Sequence, residues 1–291
     1  MGKTIGVLAA DRIVTGLVDG HQLVGEVRTY PESESEGGLL GLPAEDIVRL
    51  ILQQIEVVSR GQKIDAVGVG FAGIIREGRV EESPNLQQTK GLHIQAKLSP
   101  SFGSTLVLND ADAIAAGIAA RRGKLESLIR AWTLGDGIGF GRYPQAEGVW
   151  EGGHMVVTLD PKENFCGCGG VGHLEGIMGN AAMRRRFLDM EPDEVFDEAK
   201  RGDARCQACV KLWHRALAAG TATSVHLDGP GKFYLTGHNT RFVDLERLSV
   251  DLQEMVKMSS LQGSQFEIVP TSDELAVLGA AVSADRARFA L

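Results

Sequence analysis

The sequence has no apolar run long enough to cross a membrane, few cysteines and no excess of positive charge. A transmembrane helix would need about 18 or more consecutive apolar residues. The formal net charge of -8 argues against a general affinity for nucleic acid or for an anionic membrane surface. The four cysteines form two close pairs, which fits a reducing compartment better than a secreted disulfide framework.

The N-terminus also lacks the shape of a signal peptide, because residues 1–4 lead directly into a predicted strand. We therefore expect a cytoplasmic protein whose partners include neither nucleic acid nor a membrane. A length of 291 residues with 43% hydrophobic residues is enough for two domains with sizeable cores.

The most informative segment is the glycine-rich stretch 151–175, which combines potential metal ligands with carboxylates. Four of its residues could bind one tetrahedral zinc ion: His154, Cys166, Cys168 and His173. Zinc would hold this loop and thereby position Glu151 and Glu175, which the metal does not need. The alternative is a glycine-rich loop with two buried thiols and an unrelated histidine.

Apolar patterning predicts a repeated order of strands followed by alternating helices and strands. The predicted strands are 5–9, 13–18, 22–29, 66–71, 105–108, 128–134, 138–142, 155–159, 232–235 and 266–269. Helices are predicted from Pro43 to Gly61, over 204–219 and over 274–289, and a polar surface loop over 32–41. The pattern alone indicates an α/β protein with a mixed sheet, and its duplication predicts a ligand cleft between two halves.

Asn109 and Asp110 follow the predicted strand 105–108 and precede a helical run. A carboxylate at this place can accept the proton of a hydroxyl that attacks phosphorus. Asn and Asp are also good helix caps, and residue type and spacing alone favour the cap.

These motifs resemble the ROK family (repressors, open reading frames, kinases), whose signature reads approximately E-x-G-H, a spacer and C-x-C-G-x-x-G-C-x-E. The one departure is His173, which stands in place of the third cysteine and still offers a zinc ligand. Weaker matches occur at Phe71-Ala72-Gly73, at residues 83–86 (Ser-Pro-Asn-Leu) and at residues 278–281 (Leu-Gly-Ala-Ala). The resemblance thus extends over nearly the whole chain.

The resemblance implies an α/β protein with the actin-like ATPase fold of hexokinases (ribonuclease H-like) and two lobes around an interdomain cleft. Residues 1–110 would form the smaller lobe, completed by the C-terminal helix 274–291, and residues 111–273 the larger lobe with the zinc loop. Dimers are common in the family, so we expect a homodimer. The family's repressors carry an N-terminal helix-turn-helix module, and we expect none here.

The resemblance also assigns roles to individual residues. Asp110 would be the catalytic base, acting on a hexose or N-acetylhexosamine. The sugar-binding positions would be Gly73, Asn85, Asn109, Asp110, Glu151, His154 and Glu175. His154 would use one ring nitrogen for zinc and the other for the sugar.

The nucleotide side departs from the family. Sugar kinases of the family begin with D-x-G-G-T, but residues 7–12 read Val-Leu-Ala-Ala-Asp-Arg, so the magnesium-related aspartate falls on Val7 or Leu8. In the second phosphate loop Asp136 replaces a threonine. A carboxylate about 4 Å from a phosphate oxygen costs about 4 kcal/mol at an effective dielectric of about 20. The remaining candidates for contact with ATP are Gly135, Gly137 and Gly237.

We therefore predict a sugar-binding protein of sugar-kinase ancestry in which phosphoryl transfer is weakened or lost. The alternative is a functional ATP-dependent hexose or N-acetylhexosamine kinase that uses ATP, magnesium and Asp110. A third possibility is a nucleotide-free reaction on a sugar. Two further motifs have simpler interpretations: Cys206 and Cys209 as buried thiols on a helix rather than a redox pair, and the basic run 184–186 as a solvated face or a sugar-phosphate contact.

Overall fold

The computed structural model describes residues 2–33, 37–145, 148 and 151–289, so positions 34–36 of the predicted loop 32–41 lie outside the described residues. The chain forms two compact units. Unit 1 comprises Met1–Ile129, Gly141–Val149 and Ser272–Leu291, and unit 2 comprises Arg130–Phe140 and Trp150–Thr271.

The strands are β1 (Lys3–Ala9), β2 (Ile13–Asp19), β3 (Gln22–Leu23), β4 (Arg28–Tyr30), β5 (Ala66–Phe71), β6 (Ile74–Arg76), β7 (Arg79–Glu82), β8 (Thr105–Asn109), β9 (Ile129–Leu134), β10 (Ile138–Tyr143), β11 (Lys232–Thr236) and β12 (Gln265–Ile268). The α-helices are α1 (Ala44–Ser59), α2 (Ile94–Phe102), α3 (Asp110–Arg121), α4 (Leu174–Met178), α5 (Asn180–Arg186), α6 (Pro192–Arg201), α7 (Ala204–Asp228), α8 (Leu245–Met255) and α9 (Asp273–Ala287). Short 3-10 helices lie at Gln87–Thr89, Gly152–His154, His238–Phe242 and Ser259–Leu261.

Unit 1 is built on a sheet with the strand order β3-β2-β1-β5-β8, and β4 also pairs with β2. β1 is antiparallel to β2 and parallel to β5, which is in turn parallel to β8. Every residue of β5 is buried, as expected for a strand that is covered on both faces. The apolar faces of α1 and α2 contribute Ile47, Ile51 and Leu98 to the same core.

The boundary between the units lies after residue 129 rather than after the predicted residue 110. The reason is a close contact between α3 and α9. A Cβ on Gly279 would overlap the carbonyl oxygen of Ala113, and a Cβ on Gly117 would overlap that of Leu275. Because only glycine permits this approach of two backbones, α3 packs with the C-terminal helix inside unit 1.

Unit 2 contains a sheet with the order β10-β9-β11-β12, in which β11 is parallel to both neighbours. Its core includes Trp132 and Trp213, both fully buried. Each indole N–H has an acceptor: Trp132 donates to Thr221 Oγ1 (3.1 Å) and Trp213 to the carbonyl of Met178 (3.1 Å). Among the described residues, no helix combines the length and the apolar character needed to span a bilayer.

Three predicted elements differ from the structure. The strand predicted over 155–159 is wrong: Val156 forms only an isolated bridge with His173. Leu159 is 91% exposed, so the apolar run has no buried face that would favour a strand. The predicted strand 22–29 is divided into β3 and β4, with Gly25 between them at φ 77°. The helix predicted to end at 219 continues to Asp228, because buried residues recur as far as Val225.

Candidate functional site

Asn109 and Asp110 lie at the junction of β8 and α3 in unit 1. Asn109 is the N-cap of α3, and its Oδ1 accepts a hydrogen bond from the backbone N–H of Ala111 at 2.8 Å. Its Nδ2 donates to the carbonyl of Gly73 at 2.8 Å. The capping interpretation is therefore confirmed for Asn109, and Asp110 begins the helix.

The carboxyl group of Asp110 has lost much of its hydration but keeps part of its surface accessible. This desolvation raises its pKa from 3.8 to about 6, although the N–H of Ala111 (3.0 Å from Oδ1) acts in the opposite direction. A carboxylate with a pKa near the working pH suits general base catalysis. The geometry is thus compatible with the base and with a simple helix-start role.

Asp112 is a second carboxyl group close to Asp110 that the sequence reasoning missed. Its Oδ1 accepts the backbone N–H of Arg142 at 2.8 Å. Burial raises the pKa of Asp112 to about 7, with a smaller contribution from the charge of Asp110. The available signal was its position two residues after Asp110 in the predicted helical run. Asp112 therefore connects the start of α3 to β10.

The two weak sugar-side motifs of unit 1 meet in one turn. Ser83 Oγ donates to the carbonyl of Ala72 at 2.6 Å and accepts from the N–H of Leu86 at 3.2 Å. Gly73 has a φ of 143°, and a Cβ there would overlap the carbonyl of Glu82. The structure thus brings Gly73 next to Asn109, and Asn85 lies exposed in the adjoining turn.

The four predicted metal ligands converge in unit 2. Nδ1 of His154 lies 3.3 Å from Nδ1 of His173, and the two thiol sulfurs of Cys166 and Cys168 are 3.4 Å apart. The nitrogen–sulfur distances of His154 to Cys166, His154 to Cys168 and His173 to Cys168 are 3.6, 3.5 and 3.3 Å. All four ligand atoms lie within 4.8 Å of one another. Tetrahedral zinc with the usual bond lengths requires ligand–ligand distances of about 3.3 to 3.8 Å. The cluster therefore fits a tetrahedral metal ion with two nitrogen and two sulfur ligands.

The basic run Arg184–Arg186 on α5 was predicted to be a solvated face, and Arg184 and Arg185 are exposed, whereas Arg186 is partly buried. Arg186 forms an ion pair with Glu163 in which both side chains are largely buried. Arg185 donates two hydrogen bonds to the carbonyl of Phe165, at 2.6 and 2.9 Å. These contacts attach the segment just before Cys166 to α5, a fixed helix of unit 2.

Residues 151–175 are here called the metal loop. Glu151 and Glu175 lie at its two ends, as predicted. Glu151 precedes the 3-10 helix Gly152–His154, and its carbonyl accepts the N–H of His154 at 3.0 Å. Glu175 is in α4; its Oε2 accepts the N–H of Ile138 at 3.0 Å, and its Oε1 is 3.7 Å from the sulfur of Cys166. The carboxylate of Glu175 thus joins the metal loop to the start of β10.

Residues 135–137, here called the glycine loop, are held by two asparagines that the sequence reasoning missed. The carbonyl of Gly135 accepts the N–H of Asn180 (3.1 Å) and Nδ2 of Asn239 (3.2 Å). Asn239 also donates to Oδ1 of Asn180 at 2.7 Å. Only their position beside glycines could have indicated this role. A Cβ on Gly237 would overlap the carbonyl of Leu134, so the two predicted nucleotide loops are adjacent.

The turn between β1 and β2 has no metal-binding side chain at the position where the family has aspartate. Leu8 packs against the apolar cluster that contains Leu108 and Ala280. The carbonyl of Asp11 accepts the N–H of Leu39 at 2.8 Å, and Ala10 N–H donates to the carbonyl of Arg12 at 3.1 Å. The altered residues therefore form an ordered turn.

Known proteins were compared with the chain. The sequence model of the ROK family matches residues 33–287. A glucokinase from Thermotoga maritima is 30% identical over 274 residues, covering 81% of this chain and 84% of the relative. A ROK hexokinase structure from Thermus thermophilus has a TM-score of 0.79 at 23% identity, with 99% of each chain covered. A ROK glucokinase structure from Streptomyces griseus, in complex with glucose and AMPPNP, has a TM-score of 0.68 at 23% identity, covering 98% of this chain and 100% of that one.

The structural likeness confirms the predicted actin-like ATPase fold. The family match covers most of the sequence and agrees with the metal-loop signature at residues 151–175. This chain therefore belongs to the ROK family of sugar kinases and sugar-responsive regulators.

Proposed function

We propose that this protein is an ATP-dependent hexose kinase of the glucokinase type, with Asp110 as the general base. The observation that carries the proposal is the state of the Asp110 carboxyl group. It follows a strand, begins a helix and has a pKa raised to about 6 by loss of hydration. A group that only starts a helix gains nothing from this costly environment, whereas a base that accepts a hydroxyl proton does.

The predicted sugar-binding positions are Gly73, Asn85, Asn109 and Asp110 in unit 1 and Glu151, His154 and Glu175 in unit 2. Carboxylates, amides and imidazoles suit a polyhydroxylated ligand, because each hydroxyl both donates and accepts hydrogen bonds. In unit 2, Glu151, His154 and Glu175 belong to the metal loop. We infer that the metal is zinc, given the two imidazoles and two thiols, and that it holds the loop in shape. Glucose is favoured as the substrate because matched relatives are glucokinases.

The nucleotide would be bound through the glycine loop and Gly237, with magnesium accompanying ATP. The Streptomyces griseus relative was solved with AMPPNP, which supports a nucleotide at the corresponding place in this fold. Asp136, which argued for weakened ATP use, is paired with Arg184 at 3.3 Å. Because this guanidinium offsets the carboxylate charge, the electrostatic objection is smaller than the sequence alone indicated.

In this mechanism the protein positions the reacting groups and supplies one proton acceptor. Asp110 takes the proton of the attacking hydroxyl as the oxygen approaches the terminal phosphorus. Asn109 keeps Asp110 at the helix start, because its side chain caps α3 and holds the Gly73 turn. Magnesium bound with ATP would neutralise part of the negative charge of the phosphates.

The second candidate is a sugar-binding protein that does not transfer phosphate. It is favoured by Val7 and Leu8, because the family's magnesium-related aspartate falls on one of these two apolar residues. The glucokinase relatives favour the kinase over this candidate. A cytoplasmic location and a homodimer stay predictions.

A coupled ADP-release assay with glucose, mannose, fructose and N-acetylhexosamines tests the proposal. We expect turnover of glucose with ATP and magnesium, and a loss of about 10²–10⁴-fold in Asp110→Asn, which is the usual contribution of a general base. Calorimetric titration of the same sugars distinguishes the two candidates. Sugar binding without any turnover, at saturating ATP and magnesium, would support the sugar-binding protein and contradict the kinase.

A further inference from the structure

The guanidinium group of Arg184 lies beside the glycine loop, a position that the basic run 184–186 did not by itself indicate. We propose that Arg184 is a phosphate-binding residue of the nucleotide site, held in position by Asp136 and Glu191. This inference rests on the proposed kinase function and adds one binding residue to it. It also gives a reason for the aspartate that replaces the loop threonine of the family.

Two carboxylates orient the guanidinium. Nε donates to Oε2 of Glu191 at 2.8 Å, and Nη1 donates to Oδ1 of Asp136 at 3.3 Å. The side chain of Arg184 is 48% exposed and that of Asp136 is 72% exposed. The planar guanidinium has five N–H donors, and these two contacts occupy two of them. Arg184 is therefore aimed by its partners while it stays accessible to a ligand.

The helix that carries Arg184 is joined to the glycine loop by backbone hydrogen bonds within unit 2. The carbonyl of Gly135 accepts the N–H of Asn180, the first residue of α5, at 3.1 Å. The carbonyl of Asp136 accepts the N–H of Ala181 at 3.3 Å. Since Arg184 is on the next turn of the same helix, its distance from the loop is set by backbone contacts.

The contact with Asp136 is the weaker of the two, and it is the one that a phosphate can replace. At 3.3 Å it is longer than the 2.8 Å contact with Glu191. Arginine binds phosphate with two parallel hydrogen bonds, which a single long contact with a carboxylate does not match. Asp136 thus holds Nη1 near the loop when no nucleotide is bound, and Glu191 keeps the other side of the group in place.

Calorimetric titration with AMPPNP–magnesium and with adenosine tests this role. The proteins are wild type, Arg184→Gln, Arg184→Lys, Asp136→Asn and the double variant Asp136→Asn/Arg184→Gln. The matched control is Arg205→Gln, which removes an exposed arginine of unit 2 that pairs with Asp189. Thermal melting of each variant shows that it is folded.

We expect Arg184→Gln to weaken AMPPNP binding by about tenfold or more, as for loss of a charge-assisted hydrogen bond. The same loss is expected when Asp136 has already been changed to Asn. Arg184→Lys should recover part of the affinity, while adenosine binding and the Arg205→Gln control should match wild type.

Two outcomes overturn the inference alone. If Arg184→Gln has no effect in the Asp136→Asn background, the arginine only cancels the charge of Asp136. If adenosine and AMPPNP are weakened equally, Arg184 supports the site structurally. By contrast, a wild-type protein that binds glucose but not AMPPNP would overturn the proposed kinase function, and this inference with it.

Discussion

At the scale of single residues, the site is distinguished by ionisable groups in costly surroundings. Asp110 and Asp112 have pKa values raised to about 6 and about 7, mainly by desolvation. An aspartate destabilises the fold when it is ionised in such a place, so residues kept there point to a function. The same logic separates Asp110 from Asn109, whose side chain simply satisfies the helix start.

Asp110→Asn should therefore abolish the proposed kinase activity and stabilise the fold. The folded pKa of about 6 lies above the ordinary 3.8. At pH 7 the carboxylate is ionised in both states, and its poorer hydration in the folded state costs about 1 to 3 kcal/mol, reduced by its partial exposure. Denaturant unfolding of wild type and variant at pH 7 and pH 4 measures this. The gain should shrink at pH 4, and a destabilised variant would contradict the assignment.

The specificity constant of the proposed reaction should also follow the charge of Asp110. Since the base acts in its ionised form and the pKa of about 6 belongs to the ligand-free protein, kcat/KM for glucose should rise as the pH increases through about 6 and level off above it. A profile of kcat/KM between pH 5 and pH 8, with glucose well below its KM, measures this. A flat profile over this range would show that Asp110 does not limit the reaction as a base.

His214 is a buried residue outside the candidate site, and its protonation should change the stability of the fold with pH. Its Nε2 accepts the N–H of Asp244 at 3.0 Å and its Nδ1 donates to the carbonyl of Val210 at 2.8 Å, so the ring is held neutral. Burial lowers its pKa below 6.5. The stabilisation that the neutral side chain of His214 contributes to folding is therefore fully present above about pH 6.5, and it is lost as the pH falls through the lowered pKa of the folded state. His214→Gln should flatten this part of the melting-temperature profile, whereas the exposed His226→Gln should not; equal profiles would contradict the prediction.

At the scale of elements, α5 links two loops with different roles. Arg184 reaches the glycine loop, while Arg185 and Arg186 hold the approach to Cys166. The metal loop itself has little regular structure, and Leu159 and Val156 are largely exposed. Its shape must therefore come from these arginines and from the four ligands rather than from a buried core.

We expect one zinc ion per chain, and its removal should loosen the metal loop. Metal analysis of protein prepared with zinc gives the content, and limited proteolysis within residues 154–173 gives the effect of a chelator. His173→Ala should lose zinc, whereas His173→Cys restores the family's ligand and should keep it. Cys206→Ala, which changes a buried thiol on α7, is the control. Equal zinc content in His173→Ala and wild type would remove His173 from the ligand set.

At the scale of the whole molecule, backbone contact between α3 and α9 decides the division of the chain. This contact assigns residues 111–129 to unit 1, although the sequence predicted a boundary at 110. It also ties the C-terminal helix to the element that carries Asp110. Stability of this helix pair and the position of Asp110 are therefore coupled.

Gly279→Ala should destabilise the protein more than ordinary surface changes do. Its new Cβ would overlap the carbonyl of Ala113, so α9 would have to move away from α3. Overpacking of this kind costs about 1 to 3 kcal/mol. Thermal unfolding measures the effect, with Ser283→Ala on the same helix as the control. An unchanged melting temperature for Gly279→Ala would show that the two helices are not in such close contact.

Local residue patterns located most strands of the two larger sheets, though not the division between β3 and β4, and selected the four residues that form the candidate metal cluster. A short apolar run such as β5 predicts a buried strand from the run itself. A C-x-C motif with flanking histidines is typical of a metal site. The strand predicted over 155–159 failed because the same apolar pattern had no partner surface.

The sequence by itself determined the family, the fold class and the residue types of the candidate metal cluster, because each is indicated by motifs of residues close together in the chain. Only the tertiary structure decided which groups Arg184, Glu175 and Asp112 contact, and where one unit ends. Those contacts join residues that are distant in sequence, and the desolvation that raises the pKa of Asp110 exists only once the chain has folded around it.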